Sequence, residues 1–274
     1  MNMIWDKINV KNLMINNLVI EIGNIGIEIQ CEDKVFLNLI KEKYKNFLSN
    51  KKPKYLIILL LKKKIGKKID GVKVSYLENK IIIERYGLYS EIDLKKQIIT
   101  ITQIKIFQNF DAFLRIFFSL ILVEKNGFLL HASSIIKDNK AFVFTGKSEA
   151  GKSTIVKLSP ECTLLSEEVS LIKQVRNRFY VYGTPFFGEL GICGINKKAE
   201  LYKIFTLQKA KQNFIKKIKN KESIEKLMSN ILFFSNNALI SKNLFNLCFK
   251  FLKKHSLQEL HFTLDNSFWK TINA

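Results

Sequence analysis

The sequence predicts a β-rich α/β fold, and three observations carry that expectation. Short apolar or alternating runs recur along the chain, as in LVIEIGNIGIEIQ (18–30), VKVSYL (72–77) and RFYVYG (178–183); period-two alternation marks a half-buried strand. Between them lie segments with apolar residues three and four apart, the spacing of an amphipathic helix. In the middle, FVFTGKSEAGKST (142–154) leads from a β-branched and aromatic run through a glycine-rich loop into a helix-like stretch.

The first hundred residues read as a sheet with one helix. LVIEIGNIGIEIQ is expected as a single strand and KVFLNLIKEKYKNFL (34–48) as the helix. Strands follow at YLIILLL (55–61), VKVSYL, KIIIERY (80–86) and QIITITQIKIF (97–107). NFDAFLRIFFSLILVEKNG (109–127) is a helix stopped by Gly127, and FLLHASSIIKDNKAFVFTG (128–146) is a pair of strands joined through KDNK, a hairpin signal. A helix, STIVKL, then runs toward Pro160, and TLLSEEVSLIKQ (163–174) with RFYVYG supplies three strands. The remainder gives a strand at LYKIFTLQ (201–208) and helices in KESIEKLMSNILFF (221–234) and SKNLFNLCFKFLKK (241–254). A strand ELHFTL (259–264) and a short helix SFWKTI (267–272) follow, and the lysine-rich segment 209–221 reads as an exposed connector. The expected division is a β-rich N-terminal region, 1–107, packed on a region 108–274 that carries the glycine loop.

The 274 residues, 47% of them apolar, suffice for a sizeable core. A spanning helix needs about 20 apolar residues, and the longest runs, YLIILLL and IFFSLILV (116–123), are too short. The start, MNMIWDKINVKN, lacks the basic-then-apolar pattern of a secretory signal. A soluble, cytoplasmic protein with no membrane partner is therefore expected. Cys31, Cys162, Cys193 and Cys248 are scattered, without metal-ligand spacing, and read as reduced thiols.

The net charge of +21 suggests a polyanionic partner. Its make-up argues against nucleic acid: only Arg85, Arg115, Arg176 and Arg178 are arginines, and arginine is the residue that forks onto phosphate and guanine. An A/T-rich coding composition yields the same lysine excess, and an acidic peptide or protein would use the same charge. A polyanion-binding protein stays open as an alternative.

Gly146-Lys147-Ser148-Glu149-Ala150-Gly151-Lys152-Ser153 has the spacing G-x-x-x-x-G-K-[ST], followed by Thr154. Glycines at both ends let successive backbone N–H groups turn inward around phosphate oxygens. Lys152 is placed for the β and γ phosphates of a nucleotide and Ser153 for Mg²⁺. A nucleotide site also needs carboxylate, and Glu167 and Glu168 close the strand after the loop's helix. His131 ends the first strand of the hairpin, one strand from the loop, and is a candidate for contact with phosphate or a catalytic role. YGTPFFGELG (182–191) is stiff and apolar, with one acid, Glu189, and suits the lip of a substrate pocket. His255 and His261 read as structural.

LLHASSIIKDNKAFVFTGKSEAGKST, then LLSEEVSLI, then GTPFFGE together resemble the catalytic domain of HPr kinase/phosphorylase and related bacterial proteins, over about residues 108–200. The resemblance implies an α/β domain of the HPr kinase and phosphoenolpyruvate carboxykinase type, a β-rich sheet carrying the P-loop with flanking helices. It implies a histidine at His131 and an acid pair at Glu167 and Glu168, where the family has Asp-Asp. It implies ATP and Mg²⁺ as nucleotide and metal, with Ser153, Glu167 and Glu189 as candidate metal contacts and Lys152, His131, Glu167 and Glu168 as catalytic candidates. The family's arginine–glycine signature is not matched in GELGICGINKK (188–198), and the N-terminal half does not match that of HPr kinases. The acceptor implied is a serine or threonine hydroxyl of a peptide or small protein, as in kinases of peptide-modification systems; a homo-oligomer is compatible with this. A nucleotide-binding switch that transfers nothing is the alternative. An ABC-type ATPase is disfavoured, since there is no LSGGQ-like segment.

Overall fold

The computed structural model describes residues 16–65 and 69–273; the opening segment MNMIWDKINVKN lies outside the described residues. Within them the fold is mixed α/β, with a seven-stranded and a nine-stranded sheet and six α-helices. No described helix is long and apolar enough to cross a membrane.

The first sheet is formed by β1 (Asn16–Ile22), β2 (Ile25–Cys31), β3 (Tyr55–Lys62), β4 (Val72–Leu77), β5 (Lys80–Arg85), β6 (Leu88–Asp93) and β7 (Ile98–Ile104), in the order β1-β2-β3-β7-β6-β5-β4. β2–β3 and β3–β7 pair in parallel, the others antiparallel. The helix α1 (Lys34–Lys43) connects β2 to β3, capped by the Asp33 carboxylate on the Phe36 N–H. LVIEIGNIGIEIQ is thus a hairpin and not one strand. Gly23 and Asn24 both have positive φ, the geometry of a tight two-residue turn, and the alternation continues across it. β6 is an additional strand, paired on both edges.

α2 (Phe107–Ile121) follows β7. It ends before Gly127: Asn126 takes the left-handed conformation at φ 54° after a short 3-10 turn, and Gly127 begins the next strand. Phe110, Phe113, Phe117 and Phe118 of α2 share one core with Ile27, Ile57 and Ile101 of the first sheet and with Leu129, Leu171 and Phe186 from beyond it. Residue 107, where the sequence suggests a division, is the first of a helix whose apolar surface serves both sheets.

The second sheet comprises β8 (Gly127–Lys137), β9 (Lys140–Thr145), β10 (Thr163–Ser166), β11 (Val169–Val175), β12 (Arg178–Tyr182), β13 (Lys198–Lys209), β14 (Phe214–Lys217), β15 (Ile231–Leu232) and β16 (Leu257–Phe262). β8 and β9 form the expected hairpin, turning at Asp138 and Asn139, both at positive φ. β8 also pairs with β11, β11 with β12, β12 with β13, and β13 in parallel with β9. Together with the β8–β9 hairpin these pairings close a circuit of five strands that includes β9. β9 is accordingly apolar on both faces: Val143 enters a core with Phe179 and with Leu244, Cys248 and Phe251 of α5 (Ala238–Lys254), while Phe142 and Phe144 enter another with Phe205, Phe262, Trp269 and Ile155. Ile155 belongs to α3 (Lys152–Lys157) and Trp269 to α6 (Phe268–Asn273). α4 (Asn220–Met228) is shorter than KESIEKLMSNILFF suggests, because Ile231 and Leu232 leave it to pair with β8. The 209–221 segment is not all connector: β14 in it adds an edge strand to β16.

Candidate functional site

The glycine loop leaves the end of β9 and enters α3. Gly146 at φ 144° and Gly151 at φ 109° hold its two ends. At Gly151 a Cβ would come within 2.5 Å of the Phe262 ring, so the loop is seated directly on the end of β16. Lys152 is buried, and its Nζ donates to the Gly146 and Lys147 carbonyls, at 3.0 Å each. Burial lowers its pKa, opposed by Glu168 and Glu189. The Lys152 carbonyl accepts from the Ser133 hydroxyl at 3.3 Å, tying the root of α3 to β8.

His131, Lys152, Ser153, Glu167, Glu168 and Glu189 line one cavity of about 440 Å³, together with Ser148 and Glu149 of the loop and Thr154 of α3. A second cavity of about 470 Å³ touches the other flank of the loop at Gly146, Lys147 and Ala150, and is closed by Gln208, Lys226, Asn230 and Glu259. Ser148, Glu149 and Lys209 border both. His131 faces Val169 across the β8–β11 ladder, and the next N–H, that of Ala132, donates to the Glu168 carbonyl at 2.9 Å. Strand pairing thus fixes the histidine beside the acid. The imidazole pKa lies below its ordinary value, chiefly through burial and then through the Lys152 charge, with Glu168 pulling the other way.

The two acids expected to act together are divided by the bend between β10 and β11. Glu167 is buried, and its carboxylate accepts three backbone N–H bonds, from Leu190 at 2.7 Å, Ile192 at 3.1 Å and Gly188 at 3.3 Å. Three of its roughly four acceptor directions are engaged by the 183–197 loop, while the residue still lines the same cavity as Glu168. Glu168 is partly open to the cavity, and among the described residues only its Oε2 is engaged, by Arg115 Nη1 at 2.8 Å.

The loop YGTPFFGELG is both lip and core. Thr184, Pro185 and Phe186 are buried, whereas Gly188, Glu189 and Leu190 face the cavity. Arg115 is the site residue that the sequence reading passed over. It lies on α2, donates also to the Phe187 carbonyl at 3.0 Å, and stacks over Phe186. The available signal was Asp111-x-x-x-Arg115, an i,i+4 ion pair in a mostly apolar helix. Burial disfavours its charge, but the Asp111 and Glu168 carboxylates outweigh that and raise its pKa. His255 packs on Phe179 and Phe251, and His261 stacks on Phe214 while bonding Glu259, as structural residues do.

Oxygen donors suit Mg²⁺, and the Ser153 hydroxyl and the Glu168 and Glu189 carboxylates line one cavity with donors of that kind, beside the Glu167 carboxylate that accepts three backbone N–H bonds. Among the described residues no three His, Cys, Asp or Glu side chains cluster to hold a metal without a further ligand. Water or the oxygens of a bound substrate would complete the shell of an ion here. Together these groups define a cavity able to hold a polyphosphate against a lysine, a hydroxyl and a free carboxylate oxygen.

No family model matches the chain, and no curated protein matches its sequence. Among solved structures, the Hpr(Ser) kinase/phosphatase from Coxiella burnetii is similar over 46% of this chain and 98% of its own, at 15% identity and a TM-score of 0.26. A likeness of that extent carries no argument about function, which rests on the geometry above.

Proposed function

We propose that the protein is an ATP-dependent kinase of the HPr-kinase-like class, with an HPr kinase-type fold, that transfers the γ-phosphoryl group to a serine or threonine hydroxyl of a peptide or small protein. The observation that carries this is the convergence of Lys152, Ser153 and the half-engaged carboxylate of Glu168 on one cavity at the glycine loop. A nucleotide's phosphates draw Lys152 away from the two loop carbonyls it now holds. Ser153 and Glu189 would hold Mg²⁺, which when bound would take up charge developing on the phosphoryl oxygens. Glu168 Oε1 accepts the proton of the acceptor hydroxyl. His131, its pKa lowered by burial, presents a hydrogen-bonding group to the same cavity. Catalysis then rests on positioning and electrostatics, as phosphoryl transfer requires.

The test is incubation with γ-labelled ATP, Mg²⁺ and an extract of the source cells, with Glu168→Gln as control. Wild type should leave label on serine or threonine of an acceptor. Glu168→Gln should keep nucleotide affinity and lose transfer by roughly 10²–10⁴-fold, the usual worth of a general base. The ion pair of Glu168 with Arg115 favours a second reading, a nucleotide-binding switch in which the carboxylate serves structure alone. Tight ATP·Mg²⁺ binding with no labelled acceptor would decide for the switch.

A further inference from the structure

Glu168 is the end of a polar chain that starts in the N-terminal half. Tyr44, the residue after α1, is fully buried, and its ring packs edge-on against Phe107 at 5.6 Å. Its hydroxyl donates to Asp111 Oδ1 at 2.7 Å, and burial, followed by the Asp111 charge, raises its pKa well above the ordinary value, so it stays a donor. Asp111 Oδ2 accepts from Arg115 Nε at 2.7 Å. The remaining arms of the guanidinium reach Glu168 Oε2 at 2.8 Å and the Phe187 carbonyl at 3.0 Å, with the Phe186 ring beneath at 5.3 Å. The three nitrogens thus engage three partners from α2, the acid pair and the cavity lip. A planar fork held this way fixes where the Glu168 oxygen it meets can sit; an ammonium on a flexible stem does so less. Placing an ion pair on a helix that is mostly core carries a desolvation cost, and apolar residues would serve packing as well.

We infer that Arg115 is a positioning residue, which orients Glu168 and the Phe187–Glu189 lip, and that Tyr44 and Asp111 set its orientation. The N-terminal region is then a working part of the site and not a separable module. The inference rests on the reading of Glu168 as the transfer base, but the geometry it predicts can be measured without catalysis.

The experiment uses the full chain as wild type, Arg115→Lys, Tyr44→Phe, Glu168→Gln and the double variant Arg115→Lys/Glu168→Gln. The first readout is amide hydrogen exchange across residues 184–192. Arg115→Lys should speed exchange there about tenfold and Tyr44→Phe about threefold, with the β-sheet amides unchanged. Unchanged exchange in the lip would overturn the inference. The second readout is phosphate release from ATP·Mg²⁺, water standing in for the acceptor hydroxyl. Arg115→Lys should lower kcat about tenfold with KM for ATP within about twofold, and should add nothing in the Glu168→Gln background. A further tenfold fall in that background would mean that Arg115 does not act through Glu168, and would also overturn the inference. If wild type releases no phosphate and labels no acceptor, the kinase reading falls alone, and faster lip exchange still supports the positioning role. Should Arg115→Lys fail to fold, Tyr44→Phe, which removes one hydroxyl and little volume, carries the same measurements.

Discussion

Replacing Glu167 with glutamine separates a loop-holding carboxylate from a metal-binding one. In the wild type the bonds from Leu190 at 2.7 Å and Ile192 at 3.1 Å are charge-assisted, worth about 2 kcal/mol each, and the longer one from Gly188 at 3.3 Å about 1 kcal/mol. Gly188 and Ile192 meet one carboxylate oxygen and Leu190 the other. A glutamine carbonyl turned toward the pair keeps two neutral bonds, together about 2 kcal/mol, and sets its amide N–H₂ against the Leu190 N–H. The net loss is about 3 kcal/mol, which for a chain of this size lowers Tm by about 6 °C. The assay is a thermal melt of Glu167→Gln beside wild type and Glu168→Gln, with ATP·Mg²⁺ titrated into each at 25 °C. The expected pattern is a lowered Tm and nearly retained Mg²⁺-dependent nucleotide binding for Glu167→Gln. A Tm within about 1 °C of wild type, coupled with lost Mg²⁺ dependence, would refute the loop-holding assignment and return Glu167 to the metal.

Lys152→Ala should abolish ATP·Mg²⁺ affinity in calorimetry while leaving Tm within a few degrees of wild type, since the lysine's own partners are only loop carbonyls; unchanged affinity would remove the glycine loop from nucleotide binding. His131 and His255 both have pKa values below the ordinary 6.5, through burial. Below that value the unfolded chain binds protons that the folded chain resists, so stability is full above about pH 6.5 and falls as pH drops through the folded pKa values. His131→Gln should therefore flatten the fall in Tm between about pH 6.5 and pH 5, and an unaltered slope would show that His131 titrates normally. Lys216, Lys217 and Lys219 are exposed on and just after β14. If the acceptor is acidic, changing all three to glutamine should raise its KM more at low salt than at high, at nearly constant kcat, because exposed charges steer over about 8 Å at physiological ionic strength. A KM that ignores both the substitution and added salt would assign these lysines to composition alone.

The strands and helices were legible where one periodicity runs between clear stops. Thus α5 and β4 lie close to their apolar patterns, and KDNK turns the β8–β9 hairpin. The pattern misled where a turn did not interrupt it. Gly23 and Asn24 reverse the chain, yet Ile22 and Ile25 stay in phase with their neighbours, so two strands look like one. β14 was hidden for the opposite reason: an edge strand flanking β16 on one side needs little apolar surface, and its lysines read as connector. At the site the spacing of the glycine loop was visible in full. The different partners of Glu167 and Glu168 were not, because adjacent residues at a bend face opposite ways and the sequence does not say which way each turns. Arg115 lies on a helix distant in sequence, and only the packing of α2 beside the 183–197 loop brings it to the acid.

The circuit of strands that includes β9 has a consequence for when the site comes into being during synthesis. β9 leans on β13, β13 on β16, and Gly151 on the Phe262 ring, so the loop's supports lie at residues 198–209 and 257–262. A ribosome adding about 5–20 residues per second reaches Phe262 several seconds after it has added Lys152. Through that interval the nascent chain carries the whole loop sequence without the wall that shapes it. A chain released short of β16 would lack the Phe262 ring on which Gly151 is seated.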